Sequence, residues 1–137
     1  MARKLELDEA GWVNGRGYRK QVVADTAVLA APGVFVQVVE MAPGESIPNH
    51  SHQTSREFYA VQGGRCRLVV NGESRRLEPG DMLLMEPGDV HSLHNDGDEL
   101  FRLLVFKTNA ATEDTFWTQS SPKSEIHNPQ AQGGSER

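Results

Sequence analysis

The chain has 137 residues, 37% of them apolar and 24% charged, with a formal net charge of −5 and a pI near 5.5. That size suits one domain with a core of its own, and the acidic balance argues against a nucleic-acid partner, which is usually met by a basic face. No stretch approaches about 18 uninterrupted apolar residues, so no membrane span is expected, and the single cysteine excludes an internal disulfide.

Residues 1–20 read as a charged arm carrying Arg3, Lys4, Glu6, Asp8 and Glu9, with Trp12 and Tyr18 as its anchors. They contain no apolar h-region, so the expected location is the cytoplasm. Beyond the arm, apolar residues alternate or cluster in runs of four to six and do not recur at helical spacing, which predicts an all-β chain. Strands are predicted at 21–24, 26–29 and 34–41, the last ended by Ala42-Pro43-Gly44-Glu45.

His50 and His52 follow. Residues i and i+2 of a strand point to one face, so these two imidazoles can converge on a single point. Glu57 lies five residues beyond His52, an odd offset that would turn it to the opposite face of an unbroken strand. Residues 53–56 must therefore turn, and Glu57 opens the next strand facing inward. That strand, 57–61, ends at Gly63-Gly64, and 67–70 leads into Asn71-Gly72, a signal for a two-residue type I′ hairpin. Further strands are predicted at 75–77, 82–85 and 100–107, with turns at 78–81, 87–89 and 95–98. His91 begins a strand after the second of these turn signals, where a site inside a closed sheet needs its next ligand. From Thr118 the sequence is polar and aperiodic, which predicts a disordered tail over 118–137 and leaves 21–117 as the folded domain.

Other residues are weighed on the same logic. Cys66, in an alternating strand, is read as a small buried hydrophobe and not as a nucleophile. His94 lies three residues from His91 and falls on the opposite face, away from the ligands. Tyr59 shares parity with Glu57 and can present its hydroxyl to a bound molecule or cap the core. Gln37, Glu40, Arg56 and Arg102 are read as an outward, solvated set. Some of Phe35, Met41, Met82, Met85, Phe101 and Phe106 are expected to line the pocket.

Together these residues resemble a known family. Gly44, His50, His52, Glu57 and Gly64 reproduce the first cupin motif without a gap, and Gly80, Gly88, His91 and Asn95 reproduce the second. One position departs from it: Glu86 stands where cupins usually carry proline. The resemblance covers about 34–106 and implies a double-stranded β-helix, a jelly-roll barrel of two antiparallel sheets. It also implies one divalent transition metal per chain (Fe, Mn, Ni, Co, Cu or Zn) held by His50, His52, Glu57 and His91, a small-molecule substrate and a homodimer. Glu57 and Tyr59 are the residues expected to act in catalysis. The expected activity is a dioxygenase-type oxygenase working on a small chelating substrate. Lewis-acid chemistry by an isomerase, cyclase or lyase is the alternative, as is a module that only binds a small ligand.

Overall fold

The computed structural model describes residues 1–118. Two antiparallel sheets face one another as a double-stranded β-helix. The first sheet contains Val13–Asn14 (β1), Arg19–Ala24 (β2), Phe35–Met41 (β3), Arg56–Gly63 (β5), Met82–Met85 (β8) and Phe101–Thr108 (β10). The second contains Ser46–His52 (β4), Cys66–Val70 (β6), Glu73–Leu77 (β7), His91–His94 (β9) and Thr115–Trp117 (β11). Their orders are β1-β2-β3-β10-β5-β8 and β11-β4-β9-β6-β7.

Alternation sorts the strands into an inner and an outer face. On β10, Phe101, Leu103 and Val105 are buried between the sheets, whereas Phe106 is 40% exposed on the outside. Met41, Cys66, Leu68, Leu77, Met85 and Phe101 fill the core. Cys66 is fully buried, and burial pushes its thiol up to about 12, so it is the inert small hydrophobe expected. The Asn71-Gly72 turn has both residues at positive φ (50° and 83°), as a type I′ hairpin requires. Gly64 is obligatory on two counts: its φ is 73°, and a Cβ there would stand 2.3 Å from the Leu100 carbonyl oxygen. Asn95, also fully buried, donates to the carbonyls of Met41 and Glu99 (both 2.9 Å), so this motif residue closes the barrel and has no part in the site.

Several expectations are corrected. Thr26–Leu29 is a helical turn (α1) and not a strand, because Asp25 caps it, accepting from the Val28 amide at 2.8 Å, and Ala30 closes it in the left-handed region. The N-terminal arm carries β1 and the start of β2, and the Gln21 side chain holds it by bonding both the amide and the carbonyl of Asp8. β11 was not foreseen. Thr118 is buried, and its amide donates to the Asn49 carbonyl; the rest of the expected tail, with His127, lies outside the described residues. Glu86, at the departing position, receives Arg56 Nε at 2.8 Å and sits in a turn closed by hydrogen bonds with Asp89.

Candidate metal centre

His50 and His52 lie on β4, and His91 lies on β9 directly across from His50. All three are buried, and one ring nitrogen from each lies within 4.8 Å of the others. The backbone sets two of the rings. His50 Nδ1 faces the Pro48 carbonyl at 2.8 Å, and His91 Nδ1 faces the Asp89 carbonyl at 3.0 Å. A carbonyl only accepts, so each Nδ1 is the donor and each Nε2 carries a lone pair into the barrel. His52 Nδ1 is held by the Thr115 hydroxyl at 3.2 Å. This pattern, with the second ring nitrogen tied to the protein, is the one that orients metal-ligating histidines.

The Nε2 atoms of His52 and His91 are buried and have no hydrogen-bond partner among the described residues. Buried ring nitrogens without a partner are costly, and a cation between them relieves that cost when each presents its lone pair. Glu57, on β5 of the opposite sheet, brings Oε1 to 3.0 Å from His52 Nε2 and 3.6 Å from His91 Nε2. Donors about 2.1 Å from a shared ion stand roughly 3.0–3.4 Å from one another, a spacing that the Glu57–His52 contact meets and that the remaining donors approach, and the imidazole and carboxylate set suits one divalent transition ion. The mutually close set is the three histidines; Glu57 meets two of them.

Charge supports the same reading. Burial drives the His50 pKa well below 6.5, with the neighbouring His91 and His52 adding to the effect, so His50 is neutral at pH 7. Burial alone would raise Glu57, but the imidazoles of His52 and His91 and the Lys107 ammonium outweigh it and hold the carboxyl well below 4.5. Lys107 Nζ is 3.9 Å from Glu57 Oε2 and is itself largely buried. Tyr59 donates to Glu57 Oε1 at 3.3 Å, and burial, with Glu57 beside it, pushes the phenol well above 10. Tyr59 therefore stays protonated. His94 bonds the Ser46 hydroxyl at 2.6 Å and lies off the site, as its parity predicted.

His50, His52, Glu57 and Tyr59 open into a cavity of about 240 Å³ lined by Val39, Ile47, Leu93, Leu103, Val105 and Trp117, with Tyr18, Lys20, Gln37 and Lys107 as further polar members. None of Phe35, Met41, Met82, Met85, Phe101 and Phe106 lines it, because Met41, Met85 and Phe101 pack elsewhere in the core and Met82 and Phe106 face outward. Gln37 points inward, against the outward reading. Glu40 does face outward but is buried, between Arg19 (2.7 Å) and Arg102, both of which pair with its carboxylate.

Sequence reasoning missed Lys20, Lys107, Asp114 and Trp117. Lys107 shares parity with Leu103 and Val105, a charge at an inward position that could have been noticed. Trp117, 4.8 Å from the His50 ring and under the Arg16 guanidinium, gave no such signal.

Residues 37–107 match the family model of the cupin domain. The chain belongs to the cupin family. This cupin is 34% identical over 102 residues to the polyketide synthase CurC of Streptomyces cyaneus, covering 74% of the chain and 66% of that protein. It is 28% identical over 97 residues to the tetracenomycin polyketide synthase protein TcmJ of Streptomyces glaucescens, covering 71% and 65%. The chain thus spans just under two thirds of the length of these curated relatives. The crystal structure of a cupin 2 conserved barrel domain protein from Salinispora arenicola superposes with a TM-score of 0.70 at 27% identity, covering 80% of this cupin and 91% of that chain. Among the described residues no helix is long and apolar enough to cross a membrane.

Proposed function

We propose that this cupin is a metal-dependent enzyme of Lewis-acid type, catalysing proton transfer and ring closure on a small poly-oxo substrate of the polyketide class. One observation carries the reading: a three-imidazole ligand set abuts a carboxylate that is held between a tyrosine hydroxyl and a lysine ammonium. The names of the two curated relatives support the substrate class.

A bound divalent ion would supply Lewis acidity toward a substrate carbonyl. His50, His52 and His91 would hold it, with Glu57 as the further ligand. Glu57 Oε2, facing Lys107, takes the proton from the carbon next to that carbonyl. Because its pKa is low, this carboxylate is a base only toward carbon acids as strong as those between two carbonyls, which poly-oxo chains present. Tyr59 fixes the carboxylate by donating to Oε1, and the apolar walls from Val39 to Val105 exclude water from the reacting carbon.

The oxygenase expectation is the second reading. The same imidazoles suit Fe, and the apolar lining suits O2. Deuterium exchange into a 1,3-diketone, followed anaerobically with Zn-, Ni-, Mn- or Fe(II)-loaded protein beside an oxygen electrode, separates the two. Metal-dependent exchange without oxygen uptake is the expected result. Substrate-dependent oxygen consumption without exchange would overturn it in favour of the oxygenase, and binding with neither activity would leave a small-ligand-binding module.

A further inference from the structure

The pocket wall across from the histidines has a charge that the whole molecule lacks. Acidic residues outnumber basic ones by 19 to 14 in the chain, yet two lysines and one glutamate face this cavity. Lys20 pairs across β2 and β3 with Val39, and Lys107 lies on β10 two residues from Val105, the cross-strand partner of Gln37. Gln37 therefore sits diagonally between the two lysines on the inner face, at the separation long side chains bridge.

Three facts say that this wall is unfinished. Gln37 is 6% exposed, and its Oε1 is buried without a hydrogen-bond partner. An amide so placed costs stability unless something bonds to it, and it can donate as well as accept. Lys20 has no carboxylate within ion-pair distance among the described residues; burial first and Lys107 second act against its charge. Lys107 lies over the Phe35 ring at 5.9 Å, and its one ion pair among the described residues is the 3.9 Å contact to Glu57, a carboxylate already shared with two histidines and Tyr59. Two partly or largely buried ammoniums facing one cavity repel each other until an anion lies between them.

We infer that the substrate carries a carboxylate, seated between Lys20 and Lys107 and against Gln37, while its dicarbonyl end faces His50, His52 and His91. This deepens the proposed function and rests on it for the dicarbonyl end only. The carboxylate fixes which carbonyl reaches the histidines, because a 1,3-dicarbonyl chain alone could enter in either direction.

The matched probes are 3,5-dioxohexanoate and its methyl ester, which share the diketone and differ in charge. Calorimetric titration of the Zn-loaded protein should show the acid bound at least about tenfold more tightly than the ester, with the preference shrinking as salt rises. K20M should bring the acid down to the affinity of the ester, with zinc content and thermal unfolding confirming a folded, loaded variant. Equal affinities for the two probes in the wild type, or a preference that K20M leaves intact, would overturn the inference; the wild-type comparison needs no variant. Exchange of deuterium into the methyl ester reports on the Lewis-acid reading separately. Exchange without an acid preference sinks only the carboxylate site, and an acid preference without exchange sinks only the chemistry.

Discussion

Asp114 holds Thr54 twice: its Oδ1 accepts the Thr54 amide at 2.7 Å and the Thr54 hydroxyl at 3.1 Å. The same carboxylate accepts the amides of Gln53 at 2.9 Å and Ser55 at 3.1 Å, so one side chain shapes the whole turn between His52 and Glu57. Burial would raise the Asp114 pKa, but these hydrogen bonds outweigh it and keep the carboxyl ionised. D114A should therefore destabilise the protein by about 2–4 kcal/mol, since it strands several amide donors at a buried site. It should also weaken metal binding by displacing both neighbours of the turn. Chemical denaturation and metal titration check this, and wild-type values for both would remove Asp114 from the account.

Removing a ligand should cost metal and not the fold. H52A and H91A are each expected to lower Zn or Ni affinity by roughly 100-fold or more while the far-ultraviolet spectrum stays that of a barrel, whereas T115V, which only frees His52 Nδ1, should cost about tenfold. Trp117 offers a direct readout, because its ring lies 4.8 Å from His50. Ni should quench its fluorescence in a W12F background. Undiminished metal content in H52A or H91A would refute the ligand assignment.

Acid should destabilise the metal-free protein in two steps. His50 has a folded pKa well below its usual 6.5, so the unfolded chain takes up this proton first as pH falls. The stability associated with neutral His50 is complete above about pH 6.5 and is lost below it, by at most about 1.4 kcal/mol per pH unit. Glu57 behaves likewise from a lower start: its contribution is present above about pH 4.5 and lost as pH falls through its depressed pKa. Urea midpoints from pH 8 down to about pH 2 report both steps. A flat profile from pH 7 to 5 in the wild type, or an unchanged slope in H50Q, would contradict the first.

The homodimer expectation has a candidate surface. Val36, Phe106, Phe58 and Leu84 form one cross-strand row on the outer face of the larger sheet, and Leu104, Ala60 and Met82 form the next. Phe58, Phe106, Leu84 and Met82 are 39%, 40%, 51% and 66% exposed, a contiguous apolar patch that a second copy can cover by two-fold pairing. Light scattering should give twice the chain mass of 15.1 kDa, and F58E/F106E should return it to one. A monomeric wild type at micromolar concentration would dispose of the proposal.

Local rules made much of this protein legible. Period-two alternation identified the strands over 34–41, 57–61, 67–70 and 100–107, and Asn71-Gly72 identified its hairpin, because these features depend on backbone geometry between near neighbours. The spacing of His50, His52 and Glu57 implied a turn over 53–56, and the structure contains one. What holds that turn, Asp114, lies some sixty residues away, and no local pattern announces such a contact. Helix and strand compete closely over 26–29, where a single capping aspartate decided the outcome. The inward position of Gln37, the pairing of Glu40 with two arginines, and the approach of Lys20, Lys107 and Trp117 to the histidines depended on which strands became neighbours. The sequence by itself determined the all-β class and the shared face of His50 and His52, since both follow from periodicity and spacing, and its cupin motifs implied that His91 joins them. Only the tertiary structure decided what surrounds those histidines, because the residues that charge and shape the pocket come from both ends of the chain and meet through long-range strand pairing.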